Sequence, residues 1–352
     1  MFLRSFVKML LLPFSCSAFV TRTAGTIGGR RRAPLTRHFF SVSESYLNTN
    51  NVRDQALSAL SGCGGLKVTV VTARNLVNDL MSTHSLSEVA AQALGRTAVC
   101  AVLLSNGMED RQTVQISVDG GGLLGGAVAI CNGAGEVRGF VGNAGLGLRD
   151  LREAVGIKGT VQIVKNHPEW PRPYNGITAV QSGEIDRDIG VYLAESEQKS
   201  CALAAGVKVE GVLCQAAGGY LVEQLPGCRK EAAKKVQANL QRLVGKNGGD
   251  AVPAGLLRSG MEPADIAAAI LEGTQGKALG QIEVRRTCVC SEERLLRSIR
   301  LLPRHEIDHI LMEHEKVEAK CEFCGKVYRM GPDEVRDKLE KATGDPSKQV
   351  DL

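Results

Sequence analysis

The chain has 352 residues, with 43 Lys and Arg against 38 Asp and Glu, a net charge of +5. Residues 1–43 hold seven basic residues and no acid, so residues 44–352 carry 36 basic against 38 acidic side chains, a net charge of −2. This balance and the 4% aromatic content argue against a general nucleic-acid binder, because such proteins need positive charge and base-stacking rings.

Residues 1–43 have the composition of a targeting leader, rich in Arg and Ser and free of acids. The sequence RHFFS at 37–41 resembles a mitochondrial processing site, and the dispersed arginines favour the mitochondrial matrix. A bipartite plastid leader, which would deliver the chain to the stroma, and a plain disordered extension are the alternatives. The apolar run at 9–20 is too short to span a bilayer, and no later segment is judged long and apolar enough. We therefore expect no membrane association.

The segment 44–228 is predicted to fold as an α+β core with a mixed or antiparallel sheet and packed helices. The β-branched run at 66–72 predicts the first strand, and Ser85 or Ser87 can cap a helix that extends to 104. Further strands are expected at 112–118, 126–131, 136–141 and 159–165, a helix at 186–194, and a hairpin formed by 202–213 and 219–225.

The glycine-rich sequence GGGLLG at 120–125 formally matches a dinucleotide-binding fingerprint. The residues after it read as another strand rather than the helix that a phosphate needs, so the sequence favours a hairpin turn. No nucleotide P-loop is found, so the sequence offers no motif for binding ATP. Residues 195–198 could suggest a carboxylate site, but a solvated helix end is the expectation.

From residue 229 the composition becomes polar and Ala-rich. Helical patterns at 229–244 and 263–271 bury little apolar surface by themselves, so segment 229–286 is predicted to be a metastable helical linker. A small zinc domain at 287–331 follows, and residues 332–352 are predicted to form a C-terminal tail.

Two close cysteine pairs give the strongest chemical signal: Cys288 with Cys290, and Cys321 with Cys324. Four thiols with this spacing suit one tetrahedral Zn²⁺. The zinc could be purely structural, or the adjacent thiolates could act as a redox switch. Histidines between the pairs could replace a cysteine but are expected to face solvent: His305, His309 and His314. The other cysteines of the body are expected to be buried packing residues: Cys63, Cys100, Cys131, Cys201, Cys214 and Cys228.

The cysteine module, CVCSEER at 288–294 followed by CEFCGKVYRM at 321–330, closely resembles that of the heat shock protein 33 family of redox-regulated holdase chaperones. The core segments YNGITAVQSGEIDRDIGVYLAESEQ (174–198) and AAGGYLVEQLPG (216–227) resemble the same family, as does region 66–118. The resemblance covers roughly residues 50–335. Arg286 departs from it, since the family usually has an aromatic residue there.

The resemblance implies a chaperone rather than an enzyme. It implies that Cys288, Cys290, Cys321 and Cys324 bind one zinc ion per chain when reduced. Oxidation would then form Cys288–Cys290 and Cys321–Cys324 disulfides, release the metal and unfold the linker. The partners implied are unfolded client proteins and, after oxidation, a second copy of the chain. A zinc-supported thiol oxidoreductase and a zinc-ribbon interaction protein remain as alternatives.

Overall fold

The computed structural model describes residues 53–246, 255–257, 261–313 and 317–341. The predicted leader at 1–43 therefore lies outside the described residues.

The described chain contains thirteen strands and nine helices of five residues or more. The strands are β1 Gln55–Leu60, β2 Leu66–Thr72, β3 Thr113–Asp119, β4 Ala127–Asn132, β5 Glu136–Val141, β6 Thr160–Asn166, β7 Tyr174–Ala179, β8 Cys201–Glu210, β9 Leu213–Gln224, β10 Lys277–Glu283, β11 Arg285–Arg286, β12 Val317–Lys320 and β13 Val327–Met330. The helices are α1 Arg74–His84, α2 Glu88–Ser105, α3 Leu151–Val155, α4 Ile185–Glu195, α5 Lys230–Lys246, α6 Pro263–Ile270, α7 Glu292–Ile299, α8 Arg304–Glu313 and α9 Pro332–Lys341.

The strands form two large sheets and a small hairpin. The five-stranded sheet has the order β10-β1-β2-β9-β8, and the six-stranded sheet has the order β11-β5-β4-β3-β6-β7. Every neighbouring pair is antiparallel except β11 with β5, which is parallel. The predicted α+β core with a mixed sheet is confirmed.

Helix α2 lies between the two sheets and forms the centre of the core. It contacts β8 and β9 of one sheet and β3 and β4 of the other. Small side chains allow this close packing: a Cβ on Gly95 would lie 2.9 Å from Val207 Cγ2. The Ser87 hydroxyl caps the helix by accepting from the Ala90 amide at 3.4 Å, as one of the two predicted caps.

Among the described residues, α2 is long and apolar enough to cross a membrane, contrary to the expectation that no segment would qualify. The most apolar window of the helix is 78% buried inside the protein, as its position between the two sheets requires.

The sequence GGGLLG forms the tight connection between antiparallel strands β3 and β4, as predicted, so no helix follows it. Several elements were not predicted. Strand β1 and helix α1 flank β2, α3 follows the β5 loop, and β7 forms an edge of the six-stranded sheet. Their short or polar sequences carry weak periodicity, and neighbouring strands supply their hydrogen-bond partners.

Segment 229–286 differs in part from the predicted helical linker. Helices α5 and α6 are present, but β10 pairs with β1 from Gln55 opposite Glu283 to Leu60 opposite Lys277. The end of this segment is therefore a strand of the core sheet. The predicted tail at 332–352 also differs, because α9 packs on the C-terminal module with Val335 fully buried.

Helices α5 and α6 cover the face of the five-stranded sheet that is opposite α2. Alternation along the strands separates the two faces: Ala56 and Val71 point to the α2 side, while Leu57 and Val70 point to the α5–α6 side. The second face packs against apolar residues of the linker: Val236, Leu240, Leu243, Leu256, Ile266, Ala267, Ile270 and Leu271.

Candidate metal centre

The first cysteine pair is positioned by the core sheet. Strand β11 pairs with β5, with Arg285 opposite Glu136 and Arg286 opposite Val137. The Thr287 amide donates to the Val137 carbonyl at 2.8 Å, which fixes the backbone immediately before Cys288. Helix α7 begins just after Cys290, where the Ser291 hydroxyl accepts from the Arg294 amide at 3.3 Å.

The second pair lies in the turn between β12 and β13. The Cys321 amide donates to the Lys326 carbonyl at 2.9 Å, and the Gly325 amide donates to the Cys321 carbonyl at 2.8 Å. Gly325 has φ of 73°, a left-handed conformation that residues with a Cβ adopt at a cost. The glycine thus lets the chain turn tightly enough to bring both sulfurs to one side.

The four cysteine sulfurs lie together, all within 4.8 Å of one another. Cys288 Sγ and Cys321 Sγ are 3.8 Å apart, and Cys290 Sγ and Cys324 Sγ are 3.5 Å apart. A tetrahedral zinc ion with Zn–S bonds of about 2.3 Å requires its sulfurs to be about 3.8 Å apart. The four residues therefore fit such an ion without rearrangement, and could hold it.

The protonation of the cluster also favours a cation. Burial raises the pKa of the Cys288 thiol to about 12. Burial alone would also raise the pKa of Cys290, but hydrogen bonds from the Tyr328 hydroxyl and the neighbouring thiols lower it to about 7. The pKa of Cys324 is raised, with burial as the largest cause. The four sulfurs therefore cannot all ionise at neutral pH unless a cation balances their charge.

Two side chains outside the cluster support negative charge on it. The Tyr328 hydroxyl donates to Cys290 Sγ at 3.1 Å. The guanidinium of Arg138, on β5, lies 5.3 Å from the centre of the Phe323 ring and interacts electrostatically with the cysteines. Four thiolates around one divalent cation would leave two negative charges, which the hydroxyl and the guanidinium would stabilise.

The cysteine module packs against the core through Phe323, between the two cysteines of the second pair. Its ring meets Phe140 of β5 edge-on, with centroids 5.2 Å apart and planes at 84°. His84, the last residue of α1, also lies at this boundary, within hydrogen-bonding reach of the Gly139 and Phe323 backbones. The metal centre is thus in direct contact with β5 and α1.

The structure brings together the four cysteines that the sequence singled out. His305 and His309 are exposed on α8 and lie outside the cluster, whereas His314 falls outside the described residues. No pattern in the sequence indicated Arg138, Phe140 or Tyr328, because their roles depend on tertiary contact.

Two expectations about other residues are wrong in part, although Glu195 and Gln198 are exposed at the helix end as expected. Cys63 is exposed rather than buried, and Cys201 and Cys228 are only half-buried, although Cys100, Cys131 and Cys214 are buried as expected. Glu197 is not a solvated residue: its side chain is 8% exposed and pairs with Lys165 at 2.5 Å and Lys199 at 3.0 Å.

Arg286, at the position where the family usually has an aromatic residue, is half-buried. Its Nε is buried without a hydrogen-bond partner among the described residues. Burial lowers the pKa of the neighbouring His84, and the charge of Arg286 lowers it further. Arg286 therefore places beside His84, two residues before Cys288, a guanidinium whose Nε has no partner among the described residues.

Comparisons with known proteins match the core and the cysteine module together. A family model described as "Hsp33 protein" matches residues 54–331. The 33 kDa chaperonin of Clostridioides difficile (strain 630) is 31% identical over 298 residues, covering 82% of this chain and 100% of that protein. The 33 kDa chaperonin of Aquifex aeolicus is 33% identical over 314 residues, covering 85% of this chain and 94% of that protein.

The fold is also similar to a solved structure. The crystal structure of the 33 kDa chaperonin (heat shock protein 33 homolog) of Thermotoga maritima has a TM-score of 0.71 and 23% sequence identity. The match covers 83% of this chain and 100% of that chain. These relatives are named chaperonins, so the chain is a chaperone rather than an enzyme. The chain belongs to the heat shock protein 33 family.

Proposed function

We propose that this protein is a redox-regulated, ATP-independent holdase that binds unfolded proteins during oxidative stress. In the reduced state, Cys288, Cys290, Cys321 and Cys324 hold one Zn²⁺ per chain. The observation that carries the proposal is the approach of these four sulfurs to within 4.8 Å, in a module that contacts the core. A bound zinc would keep all four sulfurs as thiolates and hold the two cysteine segments together.

Activation begins with oxidation of the thiolates. Each disulfide forms from two thiolates, one hydrogen peroxide and two protons, and two water molecules leave. The expected disulfides are Cys288–Cys290 and Cys321–Cys324. Since a disulfide sulfur is a poor metal ligand, the zinc is lost, and with it roughly 10–16 kcal/mol that a structural zinc site contributes to folding.

Loss of the module's structure reaches the core through two connections. The Phe323 ring withdraws from Phe140, and the strand that leads to Cys288 loses an anchor at its end. Strand β11 is only two residues long, so it depends on the segments on either side of it. The perturbation then passes to β10 and the linker helices that precede it.

Helix α5 is suited to detach because it buries few apolar side chains. Helix α5 has 17 residues but buries only three large apolar side chains, Val236, Leu240 and Leu243. The buried Asn239 amide joins it to the end of α6, donating to the Ile270 and Glu272 carbonyls at 3.0 Å each. Helix α5 therefore remains folded mainly because these few side chains pack on the core and on the end of α6, rather than through helix propensity.

Detachment of α5 and α6 exposes an apolar sheet face formed by β1, β2 and β9. It consists of the residues that these helices cover: Leu57, Ala59, Leu66, Val68, Val70, Tyr220 and Val222. A continuous apolar surface of this kind binds unfolded chains without ATP. We propose that two oxidised chains also associate through newly exposed surface to form a homodimer.

The leader composition supports delivery to the mitochondrial matrix, with the plastid stroma as the alternative. Imaging the full-length chain and a chain lacking residues 1–43, each with a C-terminal fluorescent tag, tests this. Full-length protein outside mitochondria, or unchanged targeting after truncation, would contradict the assignment.

The central experiment follows client aggregation and zinc content together. The chain without residues 1–43 is purified with reductant and zinc, and one portion is treated with peroxide at mild heat. The treated and untreated samples are then each incubated with a thermally unfolding client. We expect suppression of light scattering only after zinc is released. Equal activity in an oxidised sample that retains its zinc would overturn the switch, and steady peroxide turnover with a thiol reductant would favour an oxidoreductase.

A further inference from the structure

Two cysteines outside the metal centre lie on adjacent segments where the linker leaves the core. Cys63 is in the turn between β1 and β2, and Cys228 lies two residues before the start of α5. They are separated by 164 intervening residues, so no sequence motif pairs them. Cys63 is exposed and Cys228 is half-buried, in contrast to the fully buried Cys100, Cys131 and Cys214.

Backbone packing holds the two segments together. The Leu225 amide donates to the Gly65 carbonyl at 2.9 Å. A Cβ on Gly65 would lie only 2.5 Å from Cys228 Cα and 3.2 Å from its Sγ, so the chain needs glycine there to admit Cys228. The β1–β2 turn and the start of the linker are therefore fixed against each other.

Both sulfurs approach the backbone of Arg229. Cys63 Sγ lies within hydrogen-bonding reach of the Gly65 and Arg229 backbone amides, and 3.3 Å from the Ser61 hydroxyl. Cys228 Sγ lies 3.6 Å from the Arg229 carbonyl. Both thiols thus approach Arg229, whose carbonyl accepts from Ala233 in the first turn of α5.

Their surroundings make the pair unequal. The Ser61 hydroxyl and the Gly65 amide lower the pKa of Cys63, and the Arg229 amide lowers it further. Burial raises the pKa of Cys228, and the nearby Cys63 raises it further. An exposed thiol with a lowered pKa is suited to attack an oxidant, and a less exposed thiol with a raised pKa is suited to resolve the product.

We propose that Cys63 and Cys228 form a second oxidation site, which hydrogen peroxide converts to a disulfide that ties the start of α5 to the β1–β2 turn. The Cys63 thiolate attacks the peroxide oxygen, giving a sulfenic acid as the O–O bond breaks, and the departing hydroxide takes up a proton to become water. The Cys228 sulfur then displaces the sulfenic hydroxyl, which leaves as a second water after taking the Cys228 proton. Two electrons pass from the two sulfurs to the peroxide.

The Cys63–Cys228 disulfide would restrain the linker only at its N-terminal end. If the proposed detachment of α5 and α6 is correct, the linker would open from its C-terminal side, near the metal centre, while α5 stays attached at Arg229. This consequence rests on the proposed chaperone function; formation of the disulfide does not.

The test uses residues 44–352, treated with increasing concentrations of hydrogen peroxide. The protein is then alkylated, digested without reductant and analysed by mass spectrometry. We expect a linked peptide that joins Cys63 to Cys228 and disappears in both Cys63→Ser and Cys228→Ser. The matched control, Cys201→Ser, removes another half-buried core thiol and should retain the linked peptide. Full alkylation of both cysteines after zinc has been released would overturn the proposal.

A second measurement separates this site from the metal switch. Cys63→Ser should retain the zinc content of the parent and release it at the same peroxide concentration. Amide hydrogen exchange in the first turns of α5 should be roughly tenfold slower in the oxidised parent than in oxidised Cys63→Ser. Equal exchange would overturn the restraint, whether or not the oxidised protein suppresses aggregation.

Discussion

The ring of Phe323 meets the ring of Phe140 edge-on, with centroids 5.2 Å apart and an interplanar angle of 84°. Phe323 lies between Cys321 and Cys324, whereas Phe140 belongs to β5 of the core. This contact joins the metal centre to the sheet that receives β11, so the packing of the module depends on the same turn that holds the sulfurs.

Phe140→Ala should weaken the docking of the module without removing a metal ligand. Edge-to-face aromatic pairs contribute about 0.5–1.5 kcal/mol beyond the area that they bury. We expect normal zinc content but faster zinc release under peroxide, by roughly threefold to tenfold, followed with a chromogenic chelator. Tyr174→Ala, at an exposed aromatic of edge strand β7, is the matched control and should release zinc at the parental rate. An unchanged rate of zinc release from Phe140→Ala would mean that docking of the module on the core does not affect its oxidation.

Cys288→Ser should abolish stable metal binding, because a serine hydroxyl replaces a thiolate in a four-sulfur site. We expect zinc affinity to fall by more than about 100-fold, measured by competition with a chelator of known affinity. Cys201→Ser should bind zinc normally, since Cys201 lies on β8 outside the cluster. Retention of one tight zinc by Cys288→Ser would implicate a different ligand.

Tyr328→Phe removes the hydroxyl that donates to Cys290 Sγ at 3.1 Å and leaves the ring in place. Outer hydrogen bonds of this kind typically change metal affinity by about 10–100-fold. We therefore expect weaker zinc binding. In the metal-free protein we also expect a higher pKa for the Cys290 thiol, which a titration followed by thiolate absorbance would measure. Tyr174→Phe serves as the control, and identical zinc affinity in the two variants would show that the hydroxyl does not support the site.

Asn239→Ala should loosen the linker in the reduced protein. It leaves the buried Ile270 carbonyl and the Glu272 carbonyl without their amide donor, at a cost of about 1–3 kcal/mol. We expect faster amide exchange in α5 and partial client binding before oxidation, with zinc still bound. Lys234→Ala, at an exposed position of the same helix, should leave both properties unchanged. If Asn239→Ala exchanges no faster than Lys234→Ala, the α5–α6 contact does not control the linker.

Asp54→Asn should stabilise the protein at neutral pH. Burial raises the pKa of the Asp54 carboxyl to about 6, although its oxygen accepts from the Leu76 amide at 2.6 Å and so caps α1. Because the folded-state pKa lies above the ordinary 3.8, the folded state binds the proton more tightly, and stability falls as pH rises from about 4 to 6. An asparagine oxygen keeps the cap without this charge.

We expect the advantage of Asp54→Asn over the parent to grow by about 2–3 kcal/mol between pH 4 and pH 7. Urea unfolding of both proteins in reductant, across this range, measures it. A difference that is constant with pH would mean that Asp54 has an ordinary pKa.

The local elements that the sequence predicted are those with strong short-range patterns. The β-branched run at 66–72 and the capped helix after Ser87 form where expected, because propensity and side-chain alternation act over a few residues. Strand β10 was missed for the opposite reason: its sequence KALGQIE has weak alternation, and its partner β1 lies more than 200 residues earlier. The cysteine spacing predicted the site, because two close pairs leave few other arrangements for four thiols.

The sequence by itself determined the α+β core, the four candidate zinc ligands and the family resemblance, since these depend on local propensity, residue chemistry and spacing. It also separated a leader of seven basic residues from a body with a net charge of −2. Only the tertiary structure decided that α5 and α6 cover one face of a sheet, that Phe323 docks on Phe140, and that the Cys63 turn lies against the segment of Cys228. These contacts join segments that are far apart in the chain. They form because the two sheets pack on either side of α2, which places distant segments next to each other.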